Sequence, residues 1–469
     1  VSINPPPNNN PSARRRPSWR QYQQLLRHSG DWRVFRRHAP WIALFSAALT
    51  TVVVWWLFAA RMPDVDQHAA PSHQPQKLPT ETKSLLDKAD VKDLLESQPL
   101  QKILEGDFDI QFGDRSLQVE STIDHALQQY LQKQLYRRTS RYIAIVVLTP
   151  HNGQVLALVN YAREGRDPNP SLSSQFPAAS LFKIVTAAAA LEKCGYSSQT
   201  PLTYNGARHT LYKSQLKNVR NRYTRQTTLE KSFASSVNPV FGKIGRHCLG
   251  PTHLRRYADN FGFDKTIAFE LNLPPSRTHI TDKPYQWAEI ASGFNQETVI
   301  SPLHGAIVAA VVPARGRLVE PSIIRRITDQ EGNALYQPPP ATAAAGISPA
   351  AARELGRLMR RTVTHGTARK TFRRMKKDKV LSQLTIGGKT GSIDTRDHGA
   401  RYDWFAGYAD GPERKDAIAV AVLVAHEKFI GRRAGEYGRR AIREHFRRRF
   451  ENRDQANGRT AEIKARPST

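Results

Sequence analysis

The chain has 469 residues, room for one large domain with appendages or for two domains, and a formal net charge of +29. Two cysteines in so long a chain exclude a disulfide framework and a cysteine-based zinc site. The charge is spread along the chain, and taken alone it points to nucleic-acid binding, a reading that the order of segments argues against.

Residues 1–40 form a basic, low-complexity segment of the disordered kind, with eight arginines against the single acid Asp31. Trp41–Ala60 follows, twenty residues without a charge, long enough to cross a bilayer as one helix. Only Arg61 and Lys77 are basic in the next twenty residues. The positive-inside rule then places the N-terminus in the cytoplasm and the rest outside it, as in a single-pass membrane protein. A cleaved signal peptide is the alternative, but the run is longer than a signal core and its leader is forty residues. A buried core helix fits less well, because the run is apolar all round. Outside the cytoplasm DNA is absent, so no nucleic-acid partner is expected. The arginine-rich end, twelve basic residues against five acids from Arg432 to Arg466, then reads as a solvated helix face and tail, or as a contact for anionic lipids and wall polymers.

Residues 61–115 read as a proline-rich linker and a short, partly helical pedestal. A domain over 116–450 begins with a strand at Ser116–Thr122 and an amphipathic helix at Asp124–Tyr136. Tyr142–Thr149 and Gln154–Asn160 are apolar, β-branched runs around the hairpin signal Asn152-Gly153. At the far end, Leu384–Lys389, Trp404–Tyr408 and Ala417–Ala425 supply three more strands and Tyr437–Phe450 a closing helix, with a basic polar tail over 451–469. Strands at both ends and a helical middle (180–370) give an α+β domain whose sheet is assembled from distant parts of the chain.

Three short motifs carry the chemistry: Ser180-Leu-Phe-Lys183, Ser236-Val-Asn238 and Lys389-Thr390-Gly391-Ser392. Together they read as an acyl-transfer site with a serine nucleophile and two lysines. Ser180 opens an alanine-rich apolar helix that runs to Cys194-Gly195, and in the first turn it meets the partial positive charge of the helix N-terminus, which favours an oxyanion there. Lys183 lies one turn on, on the same face. It can serve as base only if its pKa falls, and burial and a second cation, Lys389, both act in that direction. A second Ser-x-x-Lys, Ser214 to Lys217, sits in an entirely polar stretch and is a decoy. Ser236 and Asn238 read as a hydroxyl for proton relay and an amide for a substrate peptide group, or as an ordinary turn before Pro239. Lys389 to Ser392 closes a strand whose glycines admit another backbone. Its cation and hydroxyls suit a carboxylate, and its N–H groups an oxyanion. A phosphate loop is excluded, since Lys389 does not open a helix after Gly-x-x-x-x-Gly.

In these motifs, their order and their surroundings the sequence resembles the transpeptidase domain of penicillin-binding proteins, the superfamily shared with serine β-lactamases. The likeness extends to Ser121-Thr-Ile-Asp124, Asn152-Gly-Gln-Val-Leu-Ala157, Val363-Thr-His-Gly-Thr367 and Asp403-Trp-Phe-Ala-Gly-Tyr408, and covers residues 116–450. It implies an antiparallel sheet flanked by helices, with an all-helical subdomain. It also implies that Ser180 attacks the carbonyl of a D-Ala-D-Ala stem peptide and Lys183 takes its proton. Ser236 and Lys389 then pass a proton to the departing D-alanine, and Asn238 orients the acyl chain. Thr390 and Ser392 grip the terminal carboxylate, Gly391 lies between them, and the amides of Ser180 and Ser392 form the oxyanion hole. The implied partners are peptidoglycan stem peptides, β-lactam antibiotics and other cell-wall synthesis proteins; no cofactor or metal is called for. Two departures stand out: Ser392 where threonine is commoner, and only fifty-five residues between the apolar run and the domain. The rival readings are a D,D-carboxypeptidase or β-lactamase-type hydrolase, and a non-catalytic β-lactam sensor or scaffold. Cys194 and Cys248 leave two readings open, a disulfide in an oxidising envelope compartment or two buried thiols.

Overall fold

The computed structural model describes residues 86–338, 344–395, 399–413 and 416–465. The segment 1–40, the apolar run 41–60 and the start of the 61–115 linker lie outside the described residues. Among the described residues no helix is long and apolar enough to cross a membrane.

The elements that position the site follow in chain order. First come α1 (Lys88–Glu96), α2 (Leu100–Glu105), β1 (Phe108–Phe112), β2 (Arg115–Ser121), α3 (His125–Lys133), β3 (Ser140–Leu148) and β4 (Val155–Ala162). The helical middle holds α4 (Lys183–Lys193), α5 (Leu229–Ala234), α6 (Asn238–Ile244), α7 (Gly250–Asn260), α8 (Pro284–Ser292) and α9 (Pro302–Ala310). Then come β5 (Ile324–Thr328), β6 (Ala334–Tyr336), α10 (Pro349–His365), β7 (Thr385–Thr395), β8 (Ala400–Asp410), β9 (Ile418–His426) and α11 (Ala434–Ala465).

Five strands form one antiparallel sheet in the order β7-β8-β9-β3-β4, so the first hairpin of the domain is completed by the last three strands. The period-2 pattern decides which face meets which helix. Along β9, Ala419, Ala421, Leu423 and Ala425 enter the core shared with the helical middle, while Ile418, Val420, Val422 and Val424 face α3 and α11. The alanine face lets α9, apolar on every side, lie close against the sheet, with each of its residues buried. The valine face fills the wider gap to α11, where Tyr437, Ile442 and Phe446 are fully buried. Local signals agree with these choices: Asp124 caps α3 through the Leu127 N–H at 3.0 Å, and Ser301 caps α9 through the His304 N–H at 3.1 Å.

Two boundaries differ from the sequence reading. The fold does not begin at residue 116: β1 and β2 form a hairpin that β5 and β6 extend into a second, four-stranded sheet. In front of it, Val91 and Leu95 of α1 and Ile103 and Leu104 of α2 are buried in the main core. Each such side chain contributes about 1.5–3 kcal/mol on burial, and at the head of α1 Leu86 N donates to Leu335 O at 2.7 Å and Lys88 Nζ to Pro321 O at 3.0 Å, contacts with a distant part of the chain that no local pattern announces. The stretch that reads as polar tail also continues α11 as far as Ala465, because arginine, glutamate and alanine are good helix formers even without an apolar face.

Cys194 and Cys248 are joined in a disulfide with 6.1 Å between their Cα atoms, which closes the question left open by the sequence. The bridge ties the end of α4 to the turn Gly245–Leu249 beyond α6, two segments 54 residues apart. Alkylation of the unreduced full chain is expected to leave both cysteines unlabelled, and reduction to lower its stability by about 2–4 kcal/mol in urea unfolding. Two labelled thiols before reduction would exclude the bridge.

Candidate active site

Four segments from across the sequence converge on one serine. Ser180 lies in a 3-10 turn, Ala179–Phe182, ahead of α4, rather than at the first residue of the α-helix itself. The residue before it, Ala179, has φ of 48°, and Ser236 has φ of 53°. Left-handed backbone at a non-glycine residue costs about 1–3 kcal/mol, and these two residues at the site bear it. The serine turn is held from three sides. The Trp404 indole N–H donates to Pro177 O at 2.9 Å. Gly391 brings β7 so close that a Cβ there would lie 3.4 Å from the Ser180 nitrogen. At the end of α8, Gly293 turns with φ of 62°, and a Cβ on it would stand 1.8 Å from Ala179 O.

A single hydrogen-bonded chain runs through the site. Lys183 Nζ is 2.9 Å from Ser180 Oγ, Ser180 Oγ is 3.0 Å from Ser236 Oγ, and Ser236 Oγ is 3.0 Å from Lys389 Nζ. Both lysines have 0% exposure, whereas Ser180 is half-buried. Lys183 also donates to Asn238 Oδ1 at 2.8 Å and to the carbonyl of Ser292. These two partners can only accept. A neutral amine has two N–H bonds and one lone pair, so once both N–H bonds are committed the lone pair is left for the Ser180 hydroxyl proton. The hydrogen bonds then point one way, from Lys389 through Ser236 and Ser180 to Lys183.

Electrostatics favours that protonation state. Burial, and then the charge of Lys389, push the Lys183 amine well below the usual lysine range. Burial alone draws Lys389 down to about 7. Its ammonium form has partners in Ser236 Oγ and in Thr390 O at 2.8 Å, and it sits 5.7 Å from the centre of the Phe233 ring. One proton shared between two lysines at neutral pH suits a base and an acid acting in sequence.

All three motifs thus meet, with one difference at the carboxylate end. Thr390 is partly exposed and its hydroxyl is 2.6 Å from that of Thr367. Ser392 is exposed, but its hydroxyl donates to Asp403 Oδ1 at 3.2 Å, so it must give up that bond to donate to a ligand. Asp403 is itself fixed by the Ala434 N–H at 2.9 Å and by Arg433 at 3.3 Å. The decoy Ser214 is exposed on the 3-10 turn Lys213–Leu216 and takes no part in the chain of hydrogen bonds. Sequence reasoning missed Ser292 and Gly293, for which the one available signal was a glycine closing an apolar helix. It also missed His209. Burial, and then the charge of Lys183, lower its pKa, and its ring bonds to the Ser236 backbone.

An antiparallel sheet with a Ser-x-x-Lys turn packed against its edge strand defines the class of serine acyl-transfer folds that includes penicillin-binding domains. Residues 143–447 match the penicillin binding protein transpeptidase domain family, and the chain belongs to it. It is 24% identical over 343 residues to stage V sporulation protein D of Bacillus subtilis, covering 65% of this chain and 49% of that protein. It is 25% identical over 320 residues to the peptidoglycan D,D-transpeptidase PbpA of Mycolicibacterium smegmatis, covering 60% of this chain and 61% of that one. The alignments therefore span about half to three fifths of these curated relatives. Among solved structures, the D,D-transpeptidase domain of a peptidoglycan glycosyltransferase from Eggerthella lenta shares the fold, with a TM-score of 0.57 at 22% identity over 70% of this chain and 82% of that one. Penicillin-binding protein A of Mycobacterium tuberculosis, solved as a ceftriaxone acyl-enzyme, gives 0.55 at 22% identity over 70% and 79%.

The depressed pKa of Lys389 has a consequence for stability. The unfolded chain holds that proton up to the ordinary lysine value of 10.5, the folded chain only to about 7. Between those limits the folded state therefore loses about 1.4 kcal/mol for each unit of falling pH. Lys389→Met removes this dependence, while its lost hydrogen bonds add an offset that does not vary with pH. The unfolding free energy of the variant relative to wild type is expected to be most favourable near pH 7 and to decline towards pH 10. A difference that stays flat across that range would show an ordinary lysine at 389.

Proposed function

We propose that this chain is a membrane-anchored peptidoglycan D,D-transpeptidase working through a serine acyl-enzyme. The observation that carries the reading is the hydrogen-bonded chain Lys183–Ser180–Ser236–Lys389 between two fully buried lysines. It is supported by the printed activity of the PbpA relative and by the acyl-enzyme form of a structural neighbour. The apolar run Trp41–Ala60, preceded by eight arginines and followed over the next twenty residues by Arg61 and Lys77 alone as basic residues, supports an inner-membrane anchor and an extracytoplasmic domain.

The reaction follows from where the protons are. Ser180 Oγ attacks the penultimate D-alanine carbonyl of a stem peptide as its proton passes to the Lys183 lone pair. The carbonyl oxygen becomes an oxyanion facing the Ser180 and Ser392 amides, on the turn and the strand that Gly391 brings together. Collapse breaks the peptide bond. The departing D-alanine amine takes the Ser236 hydroxyl proton, and Lys389 replaces it. Asn238, anchored by Lys183, presents its amide to the acyl chain, while Thr390, with Ser392 once it releases Asp403, receives the terminal carboxylate. The amine of a second stem peptide then attacks the ester, returns a proton through the same groups and leaves Ser180 free and the two strands cross-linked. A β-lactam enters as a cyclic analogue of the donor and stays bound to Ser180, because its leaving group remains tethered in the cleft.

The full chain, incubated with a fluorescent penicillin and followed over time, is expected to form an adduct that persists, and Ser180→Ala to form none. Rapid loss of the label with repeated turnover would instead establish a β-lactamase-type hydrolase. No adduct in the wild type would leave a non-catalytic scaffold.

A further inference from the structure

Two exposed, cation-rich segments begin beside the catalytic motifs. The first lies between Pro201 and Leu229. It holds six lysines and arginines, from Arg208 to Arg225, and no acid, and all six are exposed. It is fastened to the second motif, because Asn238 N donates to Arg208 O at 2.7 Å. The second runs from Arg369 to Lys379. It holds seven exposed cations and one acid, Asp378. It starts two residues beyond Thr367, whose hydroxyl bonds to Thr390 and whose N–H donates to Ala234 O at 3.0 Å.

These cations are not a solvated helix face with alternating charge. Among the described residues none of the thirteen has an ion-pair partner. The one acid among them is already engaged, since Asp378 pairs with Arg443 at 2.9 Å and Arg439 at 3.5 Å of α11. The second segment is also held firmly in place. Phe372 is buried and its ring centre is 5.8 Å from that of Phe405. Other surface arginines are paired locally, as Arg447 is with Glu444 and Glu451. A concentration of like charge kept unpaired on ordered backbone, beside each of two catalytic motifs, is a surface shaped for a polyanion.

We propose that these two segments bind the peptidoglycan strand itself through free carboxylates of its stem peptides, so that the protein prefers non-amidated, carboxylate-rich strands to amidated ones. This substrate class rests on the transpeptidase reading above. It is favoured over a phosphodiester wall polymer or an anionic membrane by position, for both segments start at residues bonded to the cleft where a stem peptide must lie. Arginine and lysine on these segments can hold the carboxylates flanking the reacting peptide bond, and the terminal carboxylate is left to Thr390.

The test uses the full chain in detergent and insoluble peptidoglycan sacculi stripped of covalently attached polymers. One portion is left with free carboxylates and the other is amidated with carbodiimide and ammonia. Wild type is expected to bind the free-carboxylate sacculi about tenfold better, with affinity falling steeply as salt rises. Arg373→Gln/Arg374→Gln/Lys376→Gln/Lys377→Gln and, separately, Arg220→Gln/Arg222→Gln are each expected to lose most of that preference. Both are expected to keep their rate of labelling by fluorescent penicillin within about twofold, which also shows that they fold, since exposed cations make little difference to a site buried away from water. Equal binding to both kinds of sacculi, or variants that bind as wild type does, would overturn the proposal. So would variant-sensitive binding confined to sacculi that retain phosphodiester polymer, or to phosphatidylglycerol vesicles. Failure of wild type to take the penicillin label would count against the catalytic reading alone, because the comparison of sacculi decides the charge preference without it.

Discussion

Two lysine amines buried within one hydrogen-bonded chain cannot both be ammonium ions, and most of the structure around Ser180 follows from that constraint. A lone buried cation already costs several kcal/mol of lost hydration, and a second one a few ångströms away adds direct repulsion. The fold resolves this by giving the two amines different partners. Lys183 meets two obligate acceptors and a hydroxyl, which suits the neutral form. Lys389 meets a hydroxyl and a carbonyl, and the ring contacts do not distinguish the two amines, since Lys183 lies 5.6 Å from the centre of the Phe241 ring and Lys389 5.7 Å from that of Phe233. The asymmetry comes from neighbours rather than from the lysines, so Asn238 and Ser292 matter to the chemistry without reacting.

Holding four sequence-distant segments to such tolerances requires a rigid frame, and the frame is built from side-chain size. The alanine face of β9 admits α9 close to the sheet. Gly391 and Gly293 then remove the two Cβ atoms that would keep the serine turn from β7 and α8. Strain at Ala179 and Ser236 is the counterpart of that close approach. It is tolerated because the packed helices and the Cys194–Cys248 bridge leave the backbone no cheaper arrangement.

The legible part of this structure was whatever is written locally. The β-branched runs at 142–149 and 417–425 have the right period and composition for buried strands, and the structure places strands there within a residue or two. The three motifs were legible because each pairs a reactive side chain with an apolar or glycine-rich setting that a surface residue would lack. What escaped was relational. Nothing in KADVKDLLE states that Val91 and Leu95 will be buried in the main core of the domain. Ser292 acts through its carbonyl, which every residue possesses, so side-chain chemistry could not mark it. Ser392 was read from its hydroxyl alone, without the buried Asp403 that accepts its hydrogen bond.

The same chain uses positive charge in two physically separate ways. An exposed cation about 12 Å away, through water, changes the energy of a buried amine by only about 0.3 kcal/mol, and physiological salt screens even that. The low pKa of the lysine pair therefore comes from burial and from the pair itself, as the order of causes at Lys183 indicates, not from the basic rim outside. Surface charge can vary without disturbing the proton inventory of the site, and the site can hold two interior lysines without depending on the charge outside it.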